Sequence, residues 1–179
     1  SSFLAMHFAP GDWMMSICAV TGRPRPKSVE DSNMSSGVKD VVVVGAGKIG
    51  QTVAALLAQS GNYAVTVVDR SRAALDHLPR AMDAASATRV RTQVVDVHDG
   101  EALRRVLKGR FAVASAAPFQ QTIAIAQAAR DAGVHYFDLT EDVASTRRIK
   151  QLAQGAPTAF VPQCGLAPGF ISIAANDLA

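Results

Sequence analysis

Past position 37, short β-branched runs alternate with longer stretches whose apolar residues recur every three or four positions. That alternation is the pattern of a parallel sheet covered by helices on both faces. The runs Asp40 to Val44, Ala64 to Val68, Val90 to Val95, Arg110 to Ser115, Val134 to Leu139 and Thr158 to Pro162 read as strands, each bounded by turn or capping residues. Between the first two, Ile49, Val53, Leu56 and Leu57 fall at steps of three and four and predict a helix that lays this stripe on the sheet, ended by Gly61. After the third run, Asp99 is placed to cap a helix with Glu101 in its first turn, the stripe Ala102, Leu103, Val106 and Leu107, and Gly109 at its close. After the fifth, Thr140, Glu141 and Asp142 open a helix whose later turns carry Arg147, Arg148 and Lys150, complementing the macrodipole at both ends. A βαβ succession of this regularity, with right-handed crossovers, predicts an α/β fold: a Rossmann-type doubly wound parallel sheet of about six strands in the order 3-2-1-4-5-6.

Residues 1–37 break the pattern, mixing scattered apolar residues with the turn-rich run TGRPRPKSVEDSN. They are expected to form a disordered or non-native N-terminal extension, with Met34 the natural start and residues 38–179 the Rossmann-type domain. The apolar patch Trp13 to Val20 lacks a preceding basic residue and abuts Asp12, which argues against a secretory signal. Of the 179 residues, 49% are apolar and 18% charged, which excludes the disordered and disulfide-rich classes. A net charge of +3 is too diffuse for nucleic acid or anionic lipid, and no apolar stretch is long enough for a membrane span. Cys18 and Cys164 offer no disulfide framework, so a reducing cytoplasm is expected. No HxxxH or CxxC spacing suggests a metal, and His98 and His135 read as structural.

The segment VVVVGAGKIG, Val41 to Gly50, runs an apolar strand into glycines and then into an amphipathic helix. Gly45 permits the tight turn, Gly47 lets the backbone approach a diphosphate, and Gly50 lets the helix pack on the strand. Ala46, Lys48 and Ile49 complete the loop, whose unpaired amides and dipole end form the anion site, with Lys48 turned outward and not required as a ligand. Asp69 ends the second strand about 20 residues later, where a carboxylate meets the adenosine ribose hydroxyls of a dinucleotide. A carboxylate there repels a 2′-phosphate and favours NAD, while Arg70 and Arg72 soften that preference and admit NADP. Asp96, in VVDVHDG, is placed either to accept from the adenine amine or to close a turn. In SAAPFQ, the small residues Ala116 and Ala117 with Pro118 let the middle of a dinucleotide pass close over the sheet.

Hydride transfer asks the protein for positioning, a polar group for the leaving proton and exclusion of water. DLTED, Asp138 to Asp142, brings three carboxylates to the sheet edge that carries the glycine loop. Asp138 and Glu141 are candidates there for a substrate amine, against helix capping as the plainer explanation. In PQCGLAPGF, Cys164 sits in a turn punctuated by glycine and proline; it is a candidate substrate contact, against the ordinary role of a small buried hydrophobe.

Taken in order, VVVVGAGKIG, VVDRS, SAAPF, YFDLTEDV and QCGLAPGF resemble the N-terminal dinucleotide-binding domain of the saccharopine dehydrogenase family, including its lysine 6-dehydrogenase-like members, over Val38 to Ala179. The resemblance implies dinucleotide contact at Gly45, Gly47, Gly50 and Asp69, then at Ala116 to Pro118, with Gly165, Leu166 and Gly169 near the nicotinamide. It implies oxidation of a C–N bond in amino acids or their secondary-amine adducts, or the reverse reduction, with a small-molecule amino-acid substrate. Such enzymes continue into a second α/β domain that holds most substrate contacts and the dimer surface. A homodimeric parent is therefore expected, and this chain is expected to bind cofactor while catalysing little or nothing. A nucleotide-sensing regulatory domain of the potassium-transport gating type is the competing reading, and a non-catalytic NAD-binding scaffold the third.

Overall fold

The computed structural model describes residues 37–78, 82–165 and 169–177. The expectations for residues 1–36, for Cys18 and for Leu166 lie outside the described residues. Four valines in a row cannot alternate between a dry and a wet face, and in β1 (Lys39–Val44) they do not need to: Val41 to Val44 are all buried, because helices cover both sides. β1 pairs in parallel with β2 (Tyr63–Asp69) on one side and β4 (Ala112–Ser115) on the other. β3 (Val90–Val94), β5 (His135–Asp138) and β6 (Phe160–Val161) complete a six-stranded sheet in the order 3-2-1-4-5-6, as the sequence pattern predicts. β6 is shorter than the run Thr158 to Pro162, with only Phe160 and Val161 paired against Tyr136 and Phe137.

The helices are α1 (Lys48–Gln59), α2 (Arg72–Asp76), α3 (Ala84–Ala87), α4 (Gly100–Leu107), α5 (Thr122–Ala132), α6 (Val143–Leu152) and α7 (Phe170–Asp177). One core packs Val43, Val65 and Val67 against Ala54 and Ala58 of α1 and against Leu75 and Leu78. The other packs Val42, Val44, Val113 and Tyr136 under Leu103 and Leu107 of α4, Ile125 and Ala129 of α5, and Ile149 and Leu152 of α6. Each fully buried aliphatic chain contributes about 1.5–3 kcal/mol, so the two layers hold the sheet from both sides.

The stripe expected for α1 is offset. Ile49 and Leu56 are 57% and 61% exposed, and the buried positions are Gly50, Ala54 and Ala58, flanked by half-buried Val53 and Leu57. The reason is proximity: α1 must bring its first turn over the end of β1, and only small side chains at steps of four allow that approach. The Asp99 cap holds, accepting from the amides of Glu101 and Ala102, whereas α6 opens later than the run from Thr140 suggests, at Val143, with Asp142 as its cap accepting from the Ser145 amide. Among the described residues no helix is long and apolar enough to cross a membrane.

Candidate functional site

At the β1–α1 turn two of the three glycines are constrained and the third stands open. Gly45 has φ +103°, and a Cβ there would lie 2.9 Å from the carbonyl oxygen of Ala116. A Cβ on Gly50 would collide with the carbonyl oxygen of Gly45, whereas one on Gly47 would meet nothing within 4 Å. The Gly45 amide donates to the Val68 carbonyl at 2.8 Å. The amides of Gly47, Lys48, Ile49 and Gly50 have no acceptor among the described residues, and they head a 12-residue helix. Free donors, a positive dipole end and open space at Gly47 are what a diphosphate requires. Lys48 is exposed and makes no ion pair among the described residues.

Asp69 ends β2 half-buried, its Oδ2 accepting from the Ala46 amide at 2.8 Å and its Oδ1 from the Ser71 amide at 2.8 Å. The carboxylate thus points into the glycine loop and anchors it. A carboxylate has about four acceptor positions, so room for ribose hydroxyls remains beside these two bonds. Arg70 is exposed and unpaired among the described residues, while Arg72 turns to Asp76 at 3.0 Å. Asp96, exposed beyond β3, accepts from the His98 amide at 2.9 Å, which makes it a turn carboxylate in this structure.

Across the switch between β1 and β4, Ile49, Ala116, Ala117, Phe119 and the stretch Leu139 to Asp142 line a cleft of about 390 Å³. Pro118 is exposed next to it and leads into the short turn Phe119–Gln121. Ser115, at the end of β4, is buried with its hydroxyl unpartnered among the described residues. Within DLTED the carboxylates divide. Asp142 caps α6, and hydrogen bonds from Ser145 hold its carboxyl below the usual range. Glu141 is exposed in the cleft with no partner among the described residues, so it alone of the three is free to meet a substrate.

Asp138 is 2% exposed. Its Oδ1 accepts from the amides of Thr140 at 2.9 Å and Gln163 at 3.1 Å, and its Oδ2 from the Tyr136 hydroxyl at 2.8 Å. Burial, and then the adjacent Asp138 charge, push the Tyr136 phenol far above its ordinary value, which keeps it a donor. Cys164 donates its amide to the Asp138 carbonyl at 2.7 Å and its Sγ to the Val161 carbonyl at 3.0 Å. Cys164 is exposed, so it is not the small buried hydrophobe of the plainer reading; desolvation by its surroundings and then the Asp138 charge push its thiol up to about 11, so at neutral pH it is protonated and a poor nucleophile. Gly165 and Gly169 pair with one another, and Gly169 has φ +131°.

Tyr136 and Gln163 are absent from the sequence candidates. Tyr136 was within reach, because residues two apart on a strand share a face and Asp138 is its neighbour. Gln163, with φ 64°, carries no local signal.

The family model described as the saccharopine dehydrogenase NADP binding domain matches residues 41–161. Among solved structures, the chain is similar to the L-Glu-forming saccharopine dehydrogenase of Saccharomyces cerevisiae, with a TM-score of 0.68 and 24% identity over 78% of this chain and 30% of that one. It is similar to Pen from Bacillus thuringiensis, with a TM-score of 0.61 and 16% identity over 72% of this chain and 50% of that one. A shikimate 5-dehydrogenase from Mycobacterium fortuitum gives a TM-score of 0.55 and 20% identity over 70% of this chain and 44% of that one. At these identities the likenesses show the fold. The chain spans 30% of the length of the yeast enzyme.

Proposed function

The chain belongs to the saccharopine dehydrogenase NADP-binding domain family, and from that premise we propose that it is the cofactor-binding part of a nicotinamide-dependent oxidoreductase acting on C–N bonds of amino acids or saccharopine-like secondary amines. What carries the reading is the β1–α1 turn, where four amides without an acceptor among the described residues and an open Gly47 stand beside the Asp69 carboxylate. A bound nicotinamide dinucleotide supplies the hydride acceptor or donor. The chain's own residues bind and orient: the amides of Gly47 to Gly50 take the diphosphate, Asp69 the adenosine ribose, and the walls at Ala116 and Ala117 the middle of the molecule. Glu141 is the group offered to a substrate amine. The reading extends to a cytoplasmic, homodimeric parent that contacts neither nucleic acid nor membrane, and to a chain that by itself turns over little or nothing.

The family description names NADP, and Asp69 is the observation that favours NAD. A 2′-phosphate would face that carboxylate, with the exposed Arg70 at hand to offset it while Arg72 turns to Asp76. Calorimetric titration with NADH and NADPH tests both levels. NADH is expected to bind tighter, and Asp69→Ala is expected to weaken NADH by about tenfold or more and to narrow the gap. A clear NADPH preference overturns the cofactor assignment; no binding of either overturns the whole reading.

A further inference from the structure

The loop leaving β5 and the turn leaving β6 belong to different crossovers, yet one buried carboxylate holds both. Three donors converge on Asp138: the Thr140 amide from the first segment, the Gln163 amide from the second, and the Tyr136 hydroxyl from below. The two oxygens of a carboxyl group offer about four acceptor positions, so Asp138 can take all three donors at once. Its backbone carbonyl adds the Cys164 amide at 2.7 Å, and Gly165 packs beside Leu139, where a Cβ would make ordinary van der Waals contact at 3.5 Å from the carbonyl oxygen. Between them, Gln163 is the described non-glycine residue held at positive φ, a conformation that persists where surrounding contacts over-determine it.

This knot lies on the far side of the switch point from Asp69. In the order 3-2-1-4-5-6 the adenosine half of a dinucleotide rests over β1 and β2, so the other half must extend over β4 and β5. The cleft lined by Ala116, Ala117, Leu139 and Thr140 occupies that place, and the two last-named residues directly follow Asp138. We propose that Asp138 is a positioning residue: its buried carboxylate locks the Leu139 to Asp142 wall and the Gln163 to Gly165 turn into one preformed unit that receives the nicotinamide half of the cofactor. The inference rests on the dinucleotide reading above. It separates Asp138 from the substrate, which it cannot touch, and assigns it an effect confined to one end of the ligand.

Calorimetry with two ligands reads that confinement. ADP-ribose carries the adenosine and diphosphate contacts without the nicotinamide, and NADH carries both. The unaltered chain is expected to bind NADH tighter than ADP-ribose. Asp138→Ala is expected to weaken NADH by about tenfold while ADP-ribose stays within about twofold, and Asp138→Asn, which keeps the Oδ1 acceptor for both amides, is expected to restore most of the loss. If Asp138→Ala does not fold, Tyr136→Phe decides, with a smaller loss in NADH alone. Equal weakening of both ligands, an unchanged NADH affinity, or no NADH advantage in the unaltered chain overturns the proposal. Failure of the unaltered chain to bind either ligand is a different result, and sinks the dinucleotide reading instead.

Discussion

Gly47 and Gly50 sit three residues apart in one loop, and a side chain would meet opposite surroundings at the two. A methyl on Gly50 meets the Gly45 carbonyl oxygen, part of the backbone, while a methyl on Gly47 meets open space. Gly50→Ala is therefore expected to cost about 1–3 kcal/mol of stability through forced backbone displacement. Gly47→Ala, at an ordinary φ of −69°, is expected to leave the melting temperature nearly unchanged and to weaken NADH by hindering the diphosphate. Thermal melts paired with titrations distinguish the two, and a Gly47→Ala protein that binds NADH normally would remove the diphosphate from this turn. The place of these glycines in the turn and of Asp69 beside it was legible because each follows from strand, turn and helix in sequence order. Asp138 was not: buried, capping and exposed acids look alike in DLTED, and only the arrival of Gln163 from another crossover tells them apart.

Helix α1 shows how an element can be read correctly and its face misread. Its period was plain, but the largest apolar residues do not mark the sheet-facing side, because close approach to β1 favours the row Gly50, Ala54 and Ala58. Leu56→Gln, at an exposed position, is expected to shift stability by less than about 0.5 kcal/mol, while Ala54→Leu is expected to cost about 1–3 kcal/mol by overpacking. Reversed effects in denaturant titrations would return the face to Ile49 and Leu56. The Asp99 cap was easier to place, since it depends on one side chain and its neighbouring amides. Asp83 and Asp142 cap α3 and α6, and in each the hydrogen bonds from the capped turn hold the carboxyl below its usual range. A depressed folded-state value means that this stabilisation is present above about pH 4 and is lost as pH falls through the depressed values. Asp142→Ala is expected to lower the melting temperature at pH 6 and to flatten its decline between pH 4 and pH 2; an unaltered acid slope would show that the cap contributes nothing.

For the whole molecule, strand order was legible because a doubly wound sheet leaves few choices once six βαβ-type runs are recognised, and the order in turn fixes where a ligand crosses. The two-residue length of β6 was not legible, because its partner β5 sets how far pairing extends. The same topology makes a thermodynamic prediction that separates dehydrogenase from nucleotide sensor. A ligand that binds only the folded chain stabilises it by about 2.7 kcal/mol at a hundredfold excess over its dissociation constant. For a domain of this size that corresponds to a rise in melting temperature of roughly 10 °C. On the proposed reading, NADH would reach both sides of the switch point, from the Asp69 carboxylate to the cleft at Ala116 and Leu139, whereas ADP and ATP would engage only the glycine loop and Asp69. At equal millimolar concentration NADH is therefore expected to raise the melting temperature more than either adenine nucleotide. Shifts with ATP or ADP that match or exceed that of NADH would favour the regulatory reading, because they would mean that the β4–β5 half of the edge adds nothing to binding.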